Sequence, residues 1–386
     1  MSFWEIGEKE KLVAVINISS ASVEGLLMET GRPKPKIIGC FSAKANPSFI
    51  FKADFLEREI KRALEIVLKA LAKKAGPKGA DKVFCLLASP WYVGQTRILH
   101  FSDKEPFEVT PFLINKLKED EKNLLKDKDL RFVERAEVKY VLNGYAVENP
   151  FGKRTKDFEL YLYISSAKKK FINEVEATAK KFLKASVTSF HTASFVGFKE
   201  LKSLFCLKDN FLFIDFSEET TEVVLNRDGY LEEAASFAKG GYYFIRQLAV
   251  ALNIPPEEAV SLFGQYEENH LSPEEKRKID DILKEAREKW LFLFDRALEG
   301  MSGAFFMPQR IFFLGGAGFF SGFLSFVGDS FGTGTKKLAR LGEFSVIKQI
   351  SQPALASHFI ALPGSAFPQK NLTLIFALFI NKEKKM

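Results

Sequence analysis

The sequence predicts an α/β protein built of two related lobes, and three observations carry the prediction. At 386 residues the chain exceeds the roughly 250–300 residues at which single cores stop growing, so two cores are expected. Hydrophobic residues make up 46% and charged residues 27%, the balance of a folded globule rather than of a disordered or polytopic membrane chain. An apolar strand, a tight turn and a second apolar strand occur near the start and again from Asn210, each time leading to a helix, as a duplicated unit would.

Leu12–Ile18 is apolar and β-branched, and after Ser19 and Ser20 a second apolar run follows at Val23–Met28, so the two form a hairpin. Phe51–Lys74 carries Phe55, Ile60, Leu64, Ile66, Val67, Leu68 and Leu71 at helical spacing until Gly76-Pro77-Lys78-Gly79 stops it. The strand Lys82–Ala88 then leads into a compact insertion of strand, helix, strand, strand at Gln95–Phe101, Thr110–Lys126, Arg131–Leu142 and Phe158–Ser165. Thr110 before Pro111 is the N-cap and first-turn proline of that helix. Phe171–Leu183, again amphipathic, returns the chain to the first lobe.

The second half repeats the layout. Asn210–Asp215, Thr220–Asn226 and Tyr230–Phe237 are strands, the last two joined by the turn Arg227-Asp228-Gly229, and Gly240-Gly241 opens a helix. Pro255 to about Leu298 is helical and charged, and the strand Arg310–Leu314 runs into Gly315-Gly316-Ala317-Gly318. After Gly322–Phe331 a helix at Pro353–Leu362 closes the lobe. The resulting division places the first lobe at 1–82 and 166–207, the insertion at 83–165 and the second lobe at 208–253 and 301–362. A helical subdomain of the second lobe fills 254–300, and 363–386 forms a linker and an apolar, basic tail.

Composition narrows the function. The net charge is +7 with pI near 9.0, but lysines such as Lys168–Lys170 and Lys180–Lys181 are spread along helices, the mark of solvated faces. No basic patch interleaved with aromatics is present, so nucleic acid is not expected as a partner. The 40 Phe are read as core. Cys40, Cys85 and Cys206 lack metal or redox spacing and fit buried thiols in a reducing cytosol. His100, His191, His270 and His358 suggest neither a metal site nor a dyad, and no catalytic residue is assigned. The N-terminus lacks the layout of a signal peptide and no run reaches the roughly 18 apolar residues of a spanning helix, which points to a cytoplasmic protein.

Two sets of residues carry a resemblance. Leu142-Asn143-Gly144-Tyr145-Ala146-Val147-Glu148-Asn149-Pro150-Phe151-Gly152, running into Phe158–Ser165, resembles the inserted segment of the cell-division protein FtsA with its Asn-Pro-x-Gly turn. Asp215-Phe216-Ser217-Glu218-Glu219-Thr220-Thr221 is similar to the Asp-x-Gly-x-x-Thr-Thr of the actin-like ATPase superfamily, in which an acidic residue organises Mg²⁺ through water and small residues let amides approach phosphate. The resemblance implies the two-lobed actin-like ATPase fold, duplicated ribonuclease-H-like lobes with an FtsA-type inserted subdomain in the first. It implies an ATP site at Ser19, Ser20, Asp215, Ser217, Thr220, Thr221, Gly240, Gly241, Gly315, Gly316 and Gly318, with Mg held by Asp215 through water.

That site departs from the family pattern. Asn17 stands for an Asp, Ser19 and Ser217 for glycines, and Ile245, Gln247, Val260 and Phe263 for sugar-contacting residues. Glu218 and Glu219 bring two carboxylates to where phosphate would sit, a repulsion of roughly 1–4 kcal/mol for each like-charge pair. A weak ATPase at most, or a pseudo-ATPase, follows, and a small-molecule phosphotransferase is disfavoured.

As an FtsA-like scaffold the protein would bind the C-terminal peptide of an FtsZ-like tubulin homologue and self-associate into filaments. It would lie peripherally on the inner face of the cell membrane, touching lipid through 371–386. Asn371–Ile380 is apolar and followed by lysines, which suits an amphipathic anchor; a final strand or helix packed on the second lobe is the other reading. The alternative function is that of PilM, a cytoplasmic pilus-assembly protein resembling FtsA that binds a peptide from an inner-membrane partner.

Overall fold

A computed structural model describes residues 11–31, 34–45, 52–124, 127–207, 210–301, 308, 310–315, 346–349, 355, 357–361 and 371–383. The chain opens with β1 (Lys11–Ile18), β2 (Ser22–Thr30) and β3 (Lys36–Lys44), followed by α1 (Ala53–Ala75) and β4 (Lys82–Leu87). Next come β5 (Val93–Glu108), α2 (Pro111–Leu124), β6 (Leu130–Leu142), β7 (Tyr145–Val147) and β8 (Arg154–Lys168). α3 (Lys169–Leu183), β9 (Val187–Thr192) and α4 (Ala193–Leu204) complete the first half. The second half runs β10 (Phe211–Phe216), β11 (Thr221–Arg227), β12 (Tyr230–Phe237), α5 (Gly241–Leu252), α6 (Pro256–Glu267), α7 (Pro273–Gly300) and β13 (Arg310–Gly315). The described part ends with β14 (Val346–Gln349), β15 (Ile360–Ala361) and α8 (Asn371–Glu383).

The duplication is visible in the sheets. The first has the order β15-β3-β2-β1-β4-β9 and the second β12-β11-β10-β13-β14. Apart from β15, each is an antiparallel meander of three strands whose first strand continues into two parallel ones. Parallel strands need a covering crossover, and β1 accordingly sends its even residues, Ala14, Ile16 and Ile18, into one core with α1 and α3. Its Val13 and Val15 enter another core with α4 and α8. α1 buries Leu56, Ile60, Leu64, Val67, Leu68 and Leu71 on one stripe. It lies so close to β2 that a Cβ on Gly25 would stand 2.5 Å from Val67.

A third sheet, β5-β8-β6-β7, forms a separate unit between β4 and α3. α2 covers it around Val109, Ile114, Phe158, Leu160 and Leu162, and the Thr110 hydroxyl accepts from Leu113 N at 3.2 Å, the predicted cap. Since β4 pairs in parallel with β1, residues 83–87 belong to the first lobe, and the separate sheet begins at Val93 rather than at 83. Residues 358–361 are not helical: Ile360 and Ala361 pair with β3. Of the helix expected at Pro353–Leu362, residues 353, 354, 356 and 362 lie outside the described residues, as does the whole segment Gly322–Phe331.

The tail is the main correction. α8 is buried on every side, with Leu374, Ile375, Phe376, Ala377 and Ile380 at 0% exposure, packed among α4, β1, β2 and β13. Lys382 donates to Glu200 at 2.6 Å and to Ser203 at 2.9 Å. A helix apolar all round is a core helix rather than an interfacial one, so residues 372–381 present no face to lipid in this fold. Cys206 is a second correction: it is exposed, at the turn that ends α4, whereas Cys85 is buried. Among the described residues no helix is long and apolar enough to cross a membrane.

Candidate nucleotide cleft

The two hairpin turns meet between the lobes. Each is closed in the same way, Ser19 N donating to Ser22 O and Ser217 N to Thr220 O, both at 2.9 Å. The turns then bond to each other. Ser19 Oγ lies 3.0 Å from Ser217 Oγ, and the Glu218 carboxylate accepts from the hydroxyls of Ser19 and Ser20, both at 3.4 Å. Glu219 N donates to Ser20 Oγ at 2.9 Å. The Glu219 carboxylate is held by Arg246 through two parallel bonds of 2.9 and 2.7 Å, the fork geometry that makes such pairs strong. Ser19, Ser20, Ser217, Glu218, Glu219, Thr220 and Thr221 are all buried.

The remaining donors are also engaged by protein. The first amides of α5, expected to face a nucleotide, cap the second turn instead: Gly241 N donates to Ser217 O at 2.9 Å and Tyr242 N to Glu218 O at 2.7 Å. Gly240 permits this approach, since a Cβ there would stand 2.2 Å from Ser217 O. Thr220 Oγ1 donates to Ser89 O at 3.0 Å, and Thr221 Oγ1 donates to Lys239 O at 2.7 Å while accepting from Trp290 Nε1 at 3.0 Å. Trp91 Nε1 donates to Ser19 O at 2.6 Å. Gly315 pairs with Phe216 at the end of β13, and Gly316 and Gly318 lie outside the described residues. Phe263 is buried in the second lobe's core, as is Ile245, which explains apolar residues at positions where the resemblance implies sugar contacts.

Asn17 has a structural partner that accounts for the loss of an acid there. Its Nδ2 donates to Thr373 Oγ1 of α8 at 3.0 Å, and that hydroxyl donates to Glu24 at 2.6 Å. An aspartate at 17 would face Glu24 across one hydroxyl without a proton to donate.

Beside Asp215, which accepts from Ser217 Oγ at 3.2 Å, lies a residue that motif reasoning missed. Glu222, paired with Asp215 across β10 and β11, is buried and accepts from Tyr92 OH at 2.6 Å. Burial raises its carboxyl to about 8; the Tyr92 hydrogen bond opposes the shift and the charge of Asp215 adds to it. From Tyr92 a buried chain continues through Ser194 at 2.8 Å, Tyr163 at 2.8 Å and Thr192 at 3.0 Å. It reaches Glu134 of β6, which also holds His191 at 3.2 Å. Only inward-facing parity could have marked Glu222 in the sequence.

Because its folded pKa is raised, Glu222 makes the folded state bind more protons than the unfolded one between the ordinary carboxylate range and about 8. Stability therefore falls as pH rises through that window. Glu222→Gln should remove the part of this fall that Glu222 causes, stabilising the protein by roughly 3–4 kcal/mol more at pH 8 than at pH 5. Urea unfolding of both proteins across that range checks it, and parallel pH profiles would remove Glu222 from the account.

Among the described residues, ATP and Mg do not fit the cleft as arranged. Asn17 Oδ1, Ser89 Oγ and Glu222 Oε2 are buried without a hydrogen-bond partner and could accept from water. The hydroxyls and amides suited to phosphate, however, already hold Glu218 and the second turn. Among the described residues no group of His, Cys, Asp and Glu is placed to hold a metal ion.

No protein-family model and no curated protein sequence matches the chain. Among solved structures, a chain of the PilM-PilN type IV pilus biogenesis complex superposes with a TM-score of 0.62 at 14% identity, over 97% of this chain and 98% of that one. MreB 5 of Spiroplasma citri bound to AMPPNP gives 0.49 at 11% identity, over 98% of each chain. The ethanolamine utilization protein EutJ from Carboxydothermus hydrogenoformans gives 0.44 at 12%, over 90% and 87%. With the repeated strand order, the first of these likenesses establishes the two-lobed actin-like ATPase fold.

Proposed function

We propose that the protein is an assembly scaffold of the PilM kind, docking a short segment of an inner-membrane partner of a pilus-type machine, with a cleft that works as a structural joint. The supporting observation is a likeness to the PilM-PilN chain over 97% of this chain. The buried hydroxyl and carboxylate contacts across the cleft favour a joint over an ATPase site. The FtsA reading keeps one observation of its own, the Asn149-Pro150-Phe151-Gly152 turn before β8. In that reading the partners are an FtsZ-type C-terminal peptide and copies of the chain.

Peptide binding separates the two. Immobilised protein should retain a short cytoplasmic peptide of a pilus inner-membrane component and not an FtsZ C-terminal peptide. Retention of the FtsZ peptide alone would reverse the order.

A further inference from the structure

The lysines that look scattered along the sequence converge at one end of the first lobe. α1 and α3 end together: Ala80 N donates to Leu183 O at 3.1 Å, and Lys184 Nζ donates to Pro77 O at 2.7 Å. Lys69, Lys73, Lys74 and Lys78 come from the first helix and its turn, and Lys180, Lys181 and Lys184 from the second, and all are exposed. Lys69 and Lys181 both lie over the Phe182 ring, 5.6 and 4.9 Å from its centroid. Among the described residues the acids nearby are Glu65, 3.7 Å from Lys69, Asp81, which accepts from Leu12 N, and Glu176, one turn before Lys180 and paired with Arg131. Two helix C-termini supply about one further negative charge between them. Among the described residues a surplus of about four positive charges remains, more than capping the helices calls for. This end carries the entry of β1 and β4, so it faces away from the hairpin turns of the cleft.

We propose that this end of the first lobe is a docking surface for an anionic lipid bilayer. The chemistry favours lipid over nucleic acid. None of the cations is an arginine, the residue that grips phosphate through a rigid fork and dominates base contacts. The nearby aromatic, Phe182, is half-buried under ammonium groups and offers no stacking platform. Flexible point charges suit headgroups that diffuse to meet them, and each such lysine raises partitioning onto an anionic surface by about fivefold. The surface is independent of the proposed peptide partner and replaces the tail as the route to the membrane.

The test is sedimentation of the full-length protein with vesicles of phosphatidylcholine, with and without phosphatidylglycerol. Binding should require phosphatidylglycerol, weaken at high salt, and drop by about tenfold or more in K73E/K74E/K180E/K181E. The variant K153E/K276E/K278E/K284E, of equal net charge, should bind as the wild type does. Thermal unfolding checks that each variant is folded, and K73Q/K180Q, with a smaller loss in the same direction, serves if the fourfold reversal is not. Wild-type protein remaining in the supernatant with phosphatidylglycerol vesicles would overturn the proposal. So would equal loss in the two fourfold variants, or capture of duplex DNA through the same lysines at salt where vesicles are not bound.

Discussion

Removing residues 371–386 should yield a chain that no longer folds, rather than a folded protein released from membranes. Leu372, Leu374, Ile375, Phe376, Leu378, Phe379 and Ile380 are all buried. Each contributes roughly 1.5–3 kcal/mol of burial, so their joint loss matches or exceeds the roughly 5–15 kcal/mol by which whole domains are stable. The deletion would also bare the faces of β1, β2 and α4 that α8 covers, and strip Asn17 and Glu24 of Thr373. Soluble yield and urea unfolding measure the outcome. Phe376→Ala supplies a milder form, with an expected loss of about 3–5 kcal/mol. A truncated protein that stays monomeric, folded and soluble would return the tail to the role of a detachable anchor.

Glu218→Ser should open the cleft to anions. The wild-type carboxylate sits between two serine hydroxyls that would otherwise face a phosphate, and its charge opposes that phosphate by roughly 1–4 kcal/mol. Calorimetric titration of ATP-Mg into wild-type protein should give no heat into the millimolar range, and the variant should bind at least about tenfold more tightly. Asp215→Ala in the Glu218→Ser background should then remove any dependence of that binding on Mg²⁺. Micromolar binding by the wild type, unchanged in Glu218→Ser, would mean that the two turns separate on their own and that nucleotide enters a working site.

Much of the fold was legible because its signals are local. Leu12–Ile18, Val23–Met28 and the three strands from Asn210 announce themselves by β-branched alternation, and α1 and α3 by spaced apolar residues. β3 and β9 escaped because Gly39, Cys40 and Ser42 in one, and Thr188, Ser189 and His191 in the other, dilute that pattern; pairing with β2 and β4 creates those strands. α4 was missed because its first six residues, Ala193–Phe198, are all buried and its polar residues Lys199, Lys202 and Ser203 crowd into the last turns, so no helical period shows along it. The positions of the cleft residues were legible as a motif, but not their partners.

The sequence by itself determined that two hairpin-led lobes follow one another around an insertion, and that the cleft lacks the small and acidic residues of a phosphate site. These are matters of residue type and short spacing. The tertiary structure alone decided whether Ser19 faces a ligand or Ser217, 198 positions away. It alone decided whether an apolar decamer lies in lipid or between lobes, and whether dispersed lysines act separately or as one surface. Each of those outcomes depends on which distant groups exclude water from one another, and neighbouring residues carry no record of that.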